Sequence, residues 1–506
     1  MLKGLSEQEL NDHGLDARDI LIHQRRIHGS LSQQKTSFIK ILETWRLDNH
    51  GILPQRYLKD DGKAQAKGFV AFIPAAGAAS RYFQPLQDLR MALADQDQVA
   101  IRVQLEALKK QGAEQWPLPK SLSKLLNAAN DDFNAETVAA ALYEIDSPKA
   151  LLPARKSGPS FLKQKHDEHA AMNGLDGEVY VAPLGYSEKF AEHLKAEKGL
   201  DDSVHFMEQG SDLCTLRFTR EGLPYRCENG KISLVPAGHG MLVRLFPKIK
   251  EKFPTAHSLF IRNIDNVIEE GAVCIADTEL FLMQHQQVLE GLKRIRASLE
   301  VDRIEQAAVE ADQLRERFVS RMVKHPGWLK DTKPAYKKLW TLLFELFHCP
   351  FLLAEELKEG VGEKEAIIEL YKRPLNALGQ VPNNGKDVGG SPVRAKHESG
   401  EVSICLELPH ASPDDRKTYL ENAEVATHFN PVFVAAEIPE DIAVYDLEQC
   451  PFWILAEKNI RATPVVYHEI VLYEVLGNSY TANVLFPEIP RRLFQPHKTL
   501  LDGLKK

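Results

Sequence analysis

Residues 68–83 read GFVAFIPAAGAASRYF. A continuous apolar run that breaks into a loop of small residues is the texture of a buried parallel strand turning into a helix. This makes the chain an α/β protein and predicts its first core strand over Phe69–Ile73. On the C-terminal side, residues 86–145 have helical texture, and SPKALLPARKSG (147–158) supplies turn residues and a basic loop. Further strands are expected at Gly177–Ala182, Asp212–Phe218, Ser258–Ile261 and Ala272–Ile275, with helical or loop segments between them. On the N-terminal side, Ile20, Leu21, Ile27, Phe38, Ile39, Ile41, Leu42 and Trp45 recur among charged residues at a helical period, which predicts an amphipathic N-terminal layer.

From about Glu279 to Leu370 the chain is helical in texture and highly charged, as in LEGLKRIRASLEVDRIEQAAVEADQLRERF (289–318). Glycine and proline return beyond Pro374, followed by the strand-like VSICLELP and VFVAAEI. The expected organisation is an N-terminal helical layer (1–66), an α/β core (67–278), a helical insertion (279–370) and a continuation of the core with a C-terminal segment (371–506).

Composition narrows the function classes. The 506 residues carry 63 basic against 71 acidic side chains, a formal charge of −8, which argues against nucleic acid as a main partner. A 43% hydrophobic and 26% charged composition is ordinary for a globular protein. The start, MLKGLSEQELNDHGLD, lacks the apolar core of a secretory signal. Residues 68–79 and 342–353 fall short of the roughly 20 apolar residues a bilayer requires. A soluble, cytoplasmic protein without a membrane span is expected. Six cysteines without a CxxC pair indicate neither a zinc knuckle nor a disulfide framework.

Four motifs could carry chemistry. Pro74–Arg81 follows the first strand, and a small-residue loop there lets main-chain N–H groups approach phosphate oxygens while Arg81 neutralises them. Such a loop equally serves close packing. Pro148-Lys149-Ala150-Leu151-Leu152-Pro153 holds a lysine between prolines as a fixed point charge suited to phosphate, or as an ordinary exposed turn lysine. In Pro236-Ala237-Gly238-His239-Gly240 the glycines would let the main chain press against a base or ribose, with His239 otherwise a packing or capping residue. Asn263-Ile264-Asp265-Asn266 places a carboxylate at the end of a parallel strand, where α/β sheets bind ligands and where a hard oxygen suits Mg²⁺. An Asx turn would explain it as well.

In this order the motifs resemble the uridylyltransferases that make UDP-N-acetylhexosamines and UDP-glucose. IPAAGAASR, PKALLP, VPAGHG, FIRNIDNV and ATHFNP are more closely similar to the bacterial DUF4301 family, and the likeness spans most of residues 68–440. The resemblance implies a doubly wound, mixed but mostly parallel sheet of the GT-A-like, Rossmann-type nucleotidyltransferase class. It also implies a nucleotide loop at Ala76, Gly77, Ala78, Ser80 and Arg81, with alanine at 76 and 79 where the uridylyltransferases carry glycine. Gln209 (of FxxQ), Gly238, His239 and Gly240 would meet the base, histidine replacing the usual asparagine. Asp265 would hold Mg²⁺, and Asn266, Glu407, His428 and Asn430 would face the sugar.

The implied reaction joins a nucleoside triphosphate, UTP by resemblance, to a sugar 1-phosphate with release of pyrophosphate. A sugar phosphate is largely ionised near neutrality, so no general base is required; positioning and charge compensation by Arg81 and Lys149 would suffice. Two alternatives stand beside this. One is a GT-A-like glycosyltransferase that consumes a nucleotide sugar, the other a nucleotide-binding protein without catalysis.

Overall fold

The computed structural model describes residues 4–32, 39–55, 66–77, 82–128, 133–268, 271–318, 325–386, 389–397, 400–445, 447–449, 453–460 and 463–504. Its central element is a seven-stranded, mostly parallel sheet. In spatial order the strands are Asn483–Leu485, Leu375–Leu378, Phe433–Glu437, Ser258–Arg262, Phe69–Pro74, Leu175–Pro183 and Val204–Gln209. Asn483–Leu485 pairs parallel and Phe433–Glu437 antiparallel with Leu375–Leu378. Every residue of Phe69–Pro74, Ser258–Arg262 and Phe433–Glu437 is buried. Unbroken apolar runs, rather than alternating ones, are what a strand covered on both faces requires.

The strands expected from Phe69, Gly177 and Ser258 and in VFVAAEI all lie in this sheet. Others differ. Ala272–Ile275 is no strand but part of the first turns of the helix Gly271–Glu300, because a short apolar run does not by itself separate a strand from a buried helix face. Of Asp212–Phe218 only Cys214–Leu216 is strand, paired antiparallel with Leu234–Pro236 in a small separate sheet. Of VSICLELP, Val402–Leu406 belongs to the strand Gly400–Leu406, which forms a three-stranded sheet with Ser391–His397 and Lys40–Thr44. Lys40–Thr44 lies in the stretch expected to be helical; Ile39 and Ile41 alternate onto one face and bury against Val393, Ala395, Val402 and Ile404. The charged block is helical as expected, through Gly271–Glu300, Ile304–Phe318, Pro334–Glu345, Phe351–Val361 and Glu363–Lys372.

The chain forms two compact units. One comprises Met1–Val70, Gln209–Ile261 and Asp277–Arg491, the other Ala71–Glu208, Arg262–Ala276 and Arg492–Lys506. The second unit has its own core, in which Ile73, Tyr82, Leu93, Phe161, Tyr180, Ile264 and Leu500 are among the buried members. Its three stretches are far apart in sequence. No helix among the described residues is long and apolar enough to cross a membrane.

Candidate functional site

In the second unit, Lys149 and Asp265 meet. Lys149 opens a 3-10 turn, Lys149–Leu151, that Pro148 precedes at φ −55°. Proline fixes that angle in advance, so the lysine leaves the chain in one direction. The side chain turns inward between the rings of Tyr82 and Phe161, with Nζ 5.1 and 5.2 Å from their centroids. Nζ donates to Asp265 Oδ2 at 3.0 Å and to the main-chain oxygen of His497. Burial pushes the Lys149 ammonium below its ordinary range, and the Asp265 carboxylate pulls it back. Lys149 is buried, so it is not the ordinary exposed turn lysine of the alternative reading.

Asp265 follows the strand Ser258–Arg262 and remains 24% exposed, with Oδ2 engaged by the lysine. The C-terminal segment lies against this loop. His497 N–H donates to the Asp265 main-chain oxygen at 2.9 Å, and Val267 N–H donates to Gln495 O at 3.1 Å. Asn266 is 1% exposed; its amide donates to Leu493 O and its Oδ1 accepts from Gln495 N–H, each at 2.9 Å. Its side chain is thus engaged by main-chain groups of the C-terminal segment. Nothing in the sequence motifs pointed to residues 492–497.

Beneath the loop lies a charged layer that the sequence reading also missed. Lys165 Nζ donates to Glu168 Oε2 at 2.8 Å and to the main-chain oxygen of Asn266. Arg262 donates to Glu168 Oε2 at 3.0 Å and to Asn266 O at 3.2 Å, while Glu168 Oε1 accepts from Ile268 N–H at 2.8 Å. Next to it, Glu178 accepts from Tyr180 and pairs with His166 and His169; those partners outweigh burial and hold its pKa at about 2. The available signal was FLKQKHDEHA (161–170), where Lys165 and Glu168 stand three apart on a helix.

The small-residue loop leaves the sheet through Ala75, whose N–H donates to Val181 O at 2.9 Å. Ala76 and Gly77 follow, and no atom lies within 4 Å of where a Cβ at Gly77 would stand. Ala78, Ala79, Ser80 and Arg81 lie outside the described residues.

The remaining predicted residues belong to the first unit. Gln209 ends the strand Val204–Gln209. Gly238 has φ +98°, and a Cβ there would stand 2.4 Å from Ile470 O; at Gly240 one would stand 2.4 Å from Val471 O. Ile470 N–H donates to Ala237 O at 2.7 Å and Gly240 N–H to Ile470 O at 2.9 Å. These glycines let two main-chain segments touch, which gives them a packing role independent of any base. His239 opens the 3-10 helix that follows.

Asn430 is fully buried, its amide donating to Gly379 O and Phe433 O and its Oδ1 accepting from Val432 N–H and Tyr473 Oη. Glu407 begins the turn Leu408–His410, its N–H donating to His410 Nδ1 at 2.8 Å. Its charge reaches the buried Tyr473 hydroxyl and helps raise it. His428 is 5% exposed, with Nδ1 2.9 Å from Thr427 Oγ1 and Nε2 3.5 Å from Glu488.

Among the described residues no three His, Cys, Asp or Glu side chains cluster as a metal site. Mg²⁺ is commonly held by one or two carboxylates together with substrate phosphates. Asp265 Oδ1, the carboxylate oxygen that Lys149 does not engage, fits that pattern only in company with a phosphate ligand.

No curated protein matches the chain. Among solved structures, it is similar to UDP-glucose phosphorylase from Trypanosoma brucei, at 12% identity and a TM-score of 0.47, covering 98% of this chain and 76% of that one. It is also similar to a protein from Entamoeba histolytica assigned as UDP-N-acetylglucosamine pyrophosphorylase, at 12% identity and a TM-score of 0.41, covering 91% and 82%. Residues 185–324 match the model of the DUF4301 family, a domain of unknown function, and this is the family to which the motifs at 235–240 and 260–267 point.

Proposed function

We propose that the chain is a nucleotidyltransferase that condenses a nucleoside triphosphate, UTP in the first instance, with a sugar 1-phosphate and releases pyrophosphate. The observation that supports it best is the Lys149–Asp265 pair. Two residues 116 apart in sequence, each singled out for phosphate chemistry, stand 3.0 Å apart.

In this reading the pair exchanges partners on binding. A phosphate oxygen would replace Asp265 Oδ2 as acceptor for the Lys149 ammonium, and Asp265 is the residue that would hold the cation accompanying the triphosphate. Mg²⁺, when bound with substrate, supplies charge neutralisation of the phosphate oxygens. Tyr82 and Phe161 confine the lysine, so little conformational freedom remains to be lost as substrate arrives. By the resemblance, main-chain N–H groups near Ala76 and Gly77, together with Arg81, would bind the phosphates. The assignment of Asn266, Glu407, His428 and Asn430 to the sugar and of Gln209, Gly238, His239 and Gly240 to the base rests on the resemblance alone, and the main-chain bonds of Asn266 and Asn430 speak for a structural role of those two.

The test is pyrophosphate release by the purified chain with Mg²⁺, nucleoside triphosphates and a panel of sugar 1-phosphates. Turnover is expected in wild type. Lys149→Met and Asp265→Asn should each reduce it by about 100-fold or more, the scale on which single electrostatic contacts act in catalysis. Sugar transfer from a nucleotide sugar without pyrophosphate chemistry, or nucleotide binding without turnover, would overturn the assignment.

A further inference from the structure

The charged layer under the Asp265 loop contains one more cation than a structural ion pair needs. Arg262 and Glu168 already balance each other at 3.0 Å, and both are buried. Lys165 adds a second cation at 1% exposure, bonded to the same Glu168 oxygen. Removing an ammonium from water is unfavourable unless its partners restore that loss. Burial and the Arg262 charge accordingly bring Lys165 down to about 8, against Glu168 and Asp265, which act in the opposite direction. Glu178, the other carboxylate of the layer, is occupied by His166, His169 and Tyr180. Asp265 is therefore the second counter-charge for Lys165, and it already serves Lys149. Lys165 therefore adds a cation beneath the loop beyond the one that Arg262 supplies, close enough to act on Asp265, and an arriving polyphosphate would meet its charge.

The geometry connects this charge to the loop mechanically. Lys165 and Arg262 donate to one main-chain oxygen, that of Asn266, while Glu168 accepts from Ile268 N–H. The peptide groups directly after Asp265 are thereby held from below.

We propose that Lys165 is a positioning residue for Asp265: by clamping the Asn266 carbonyl and placing a positive charge beneath the loop, it readies the Lys149–Asp265 pair for a Mg²⁺-bound polyphosphate. This rests on the pyrophosphorylase reading. It differs from a purely structural role in one respect. Replacing Lys165 by methionine leaves Arg262 and Glu168 as a balanced pair with the Asn266 carbonyl still bonded, so the fold should survive while ligand affinity falls.

The test measures binding of inorganic pyrophosphate with Mg²⁺ to the full chain by titration calorimetry, together with thermal unfolding, for wild type, Lys165→Met and Lys165→Arg. Lys165→Met should unfold within a few degrees of wild type and bind about tenfold or more weakly, and Lys165→Arg should recover most of the affinity. If Lys165→Met does not fold, Lys165→Gln, which keeps a donor for the Asn266 carbonyl, takes its place with the same expected loss. Folded Lys165→Met or Lys165→Gln that binds like wild type would overturn the proposal and leave the pyrophosphorylase reading intact. Failure of Lys165→Arg to recover affinity would overturn it too. Wild type that binds no pyrophosphate would bring down both.

Discussion

At the scale of single residues, the two asparagines expected to hold sugar are best understood by counting their bonds. The Asn266 side chain serves Leu493 O and Gln495 N–H, and Asn430 serves four partners around Gly379, Val432, Phe433 and Tyr473. A buried main-chain group left without its partner costs about 1–3 kcal/mol. Asn266→Ala strands one acceptor and one donor, so it should lower the unfolding free energy by about 2–4 kcal/mol in urea titrations and increase proteolytic cleavage near residues 492–497. A variant with unchanged stability but a raised KM for sugar 1-phosphate would instead place Asn266 on the ligand. Both asparagines are singled out by the resemblance, Asn266 in the polar turn after the Ser258–Ile261 strand and Asn430 within ATHFNP. That signal cannot separate an amide that binds substrate from one that ties main chain, since both need the same donor and acceptor.

At the scale of elements, the turn Pro236–Gly240 shows how a motif acquires a conformational demand. Gly238 lies at φ +98° with Ile470 O where a Cβ would be. An L side chain meets both a backbone penalty and a collision with main chain that has no rotamer to yield. Gly238→Ala is therefore expected to destabilise the chain by about 3 kcal/mol or more, seen as a lower urea midpoint at unchanged slope. Gly77→Ala, at the open end of the Phe69–Pro74 strand, should change stability by no more than about 1 kcal/mol. If the two variants behaved alike, the packing account of Gly238 would fail. The glycine pattern was readable in the sequence; its partner, Ile470–Val471, was not, because contacts more than 200 residues apart leave no local trace.

At the scale of the whole molecule, stability should depend on pH through buried carboxylates. Glu178 titrates at about 2 in the fold against 4.5 for a free glutamate. A depressed folded pKa means the unfolded chain binds the proton first, so the contribution is complete above about pH 4.5 and disappears as pH falls toward 2. Its size is on the order of 3 kcal/mol. Unfolding free energies of wild type and Glu178→Gln should therefore differ most near neutrality and converge as pH falls to about 2. A constant difference across that range would mean that Glu178 is not the titrating group.

What the linear chain determined by itself was the class of fold, and it marked Lys149 and Asp265 as separate candidates. Unbroken apolar runs at Phe69, Ser258 and Phe433 dictate strands covered on both faces, and a lysine between prolines or a carboxylate after a buried strand is a local pattern. Tertiary structure alone decided what those residues touch. It closed Lys149 onto Asp265, laid residues 492–497 beside them, turned Ala272–Ile275 into helix and Lys40–Thr44 into strand, and lodged Lys165 and Arg262 under one carbonyl. The reason is physical. Periodicity records how each segment meets water, whereas the partner of a buried charge or a stripped main-chain group is chosen only when distant segments leave water together.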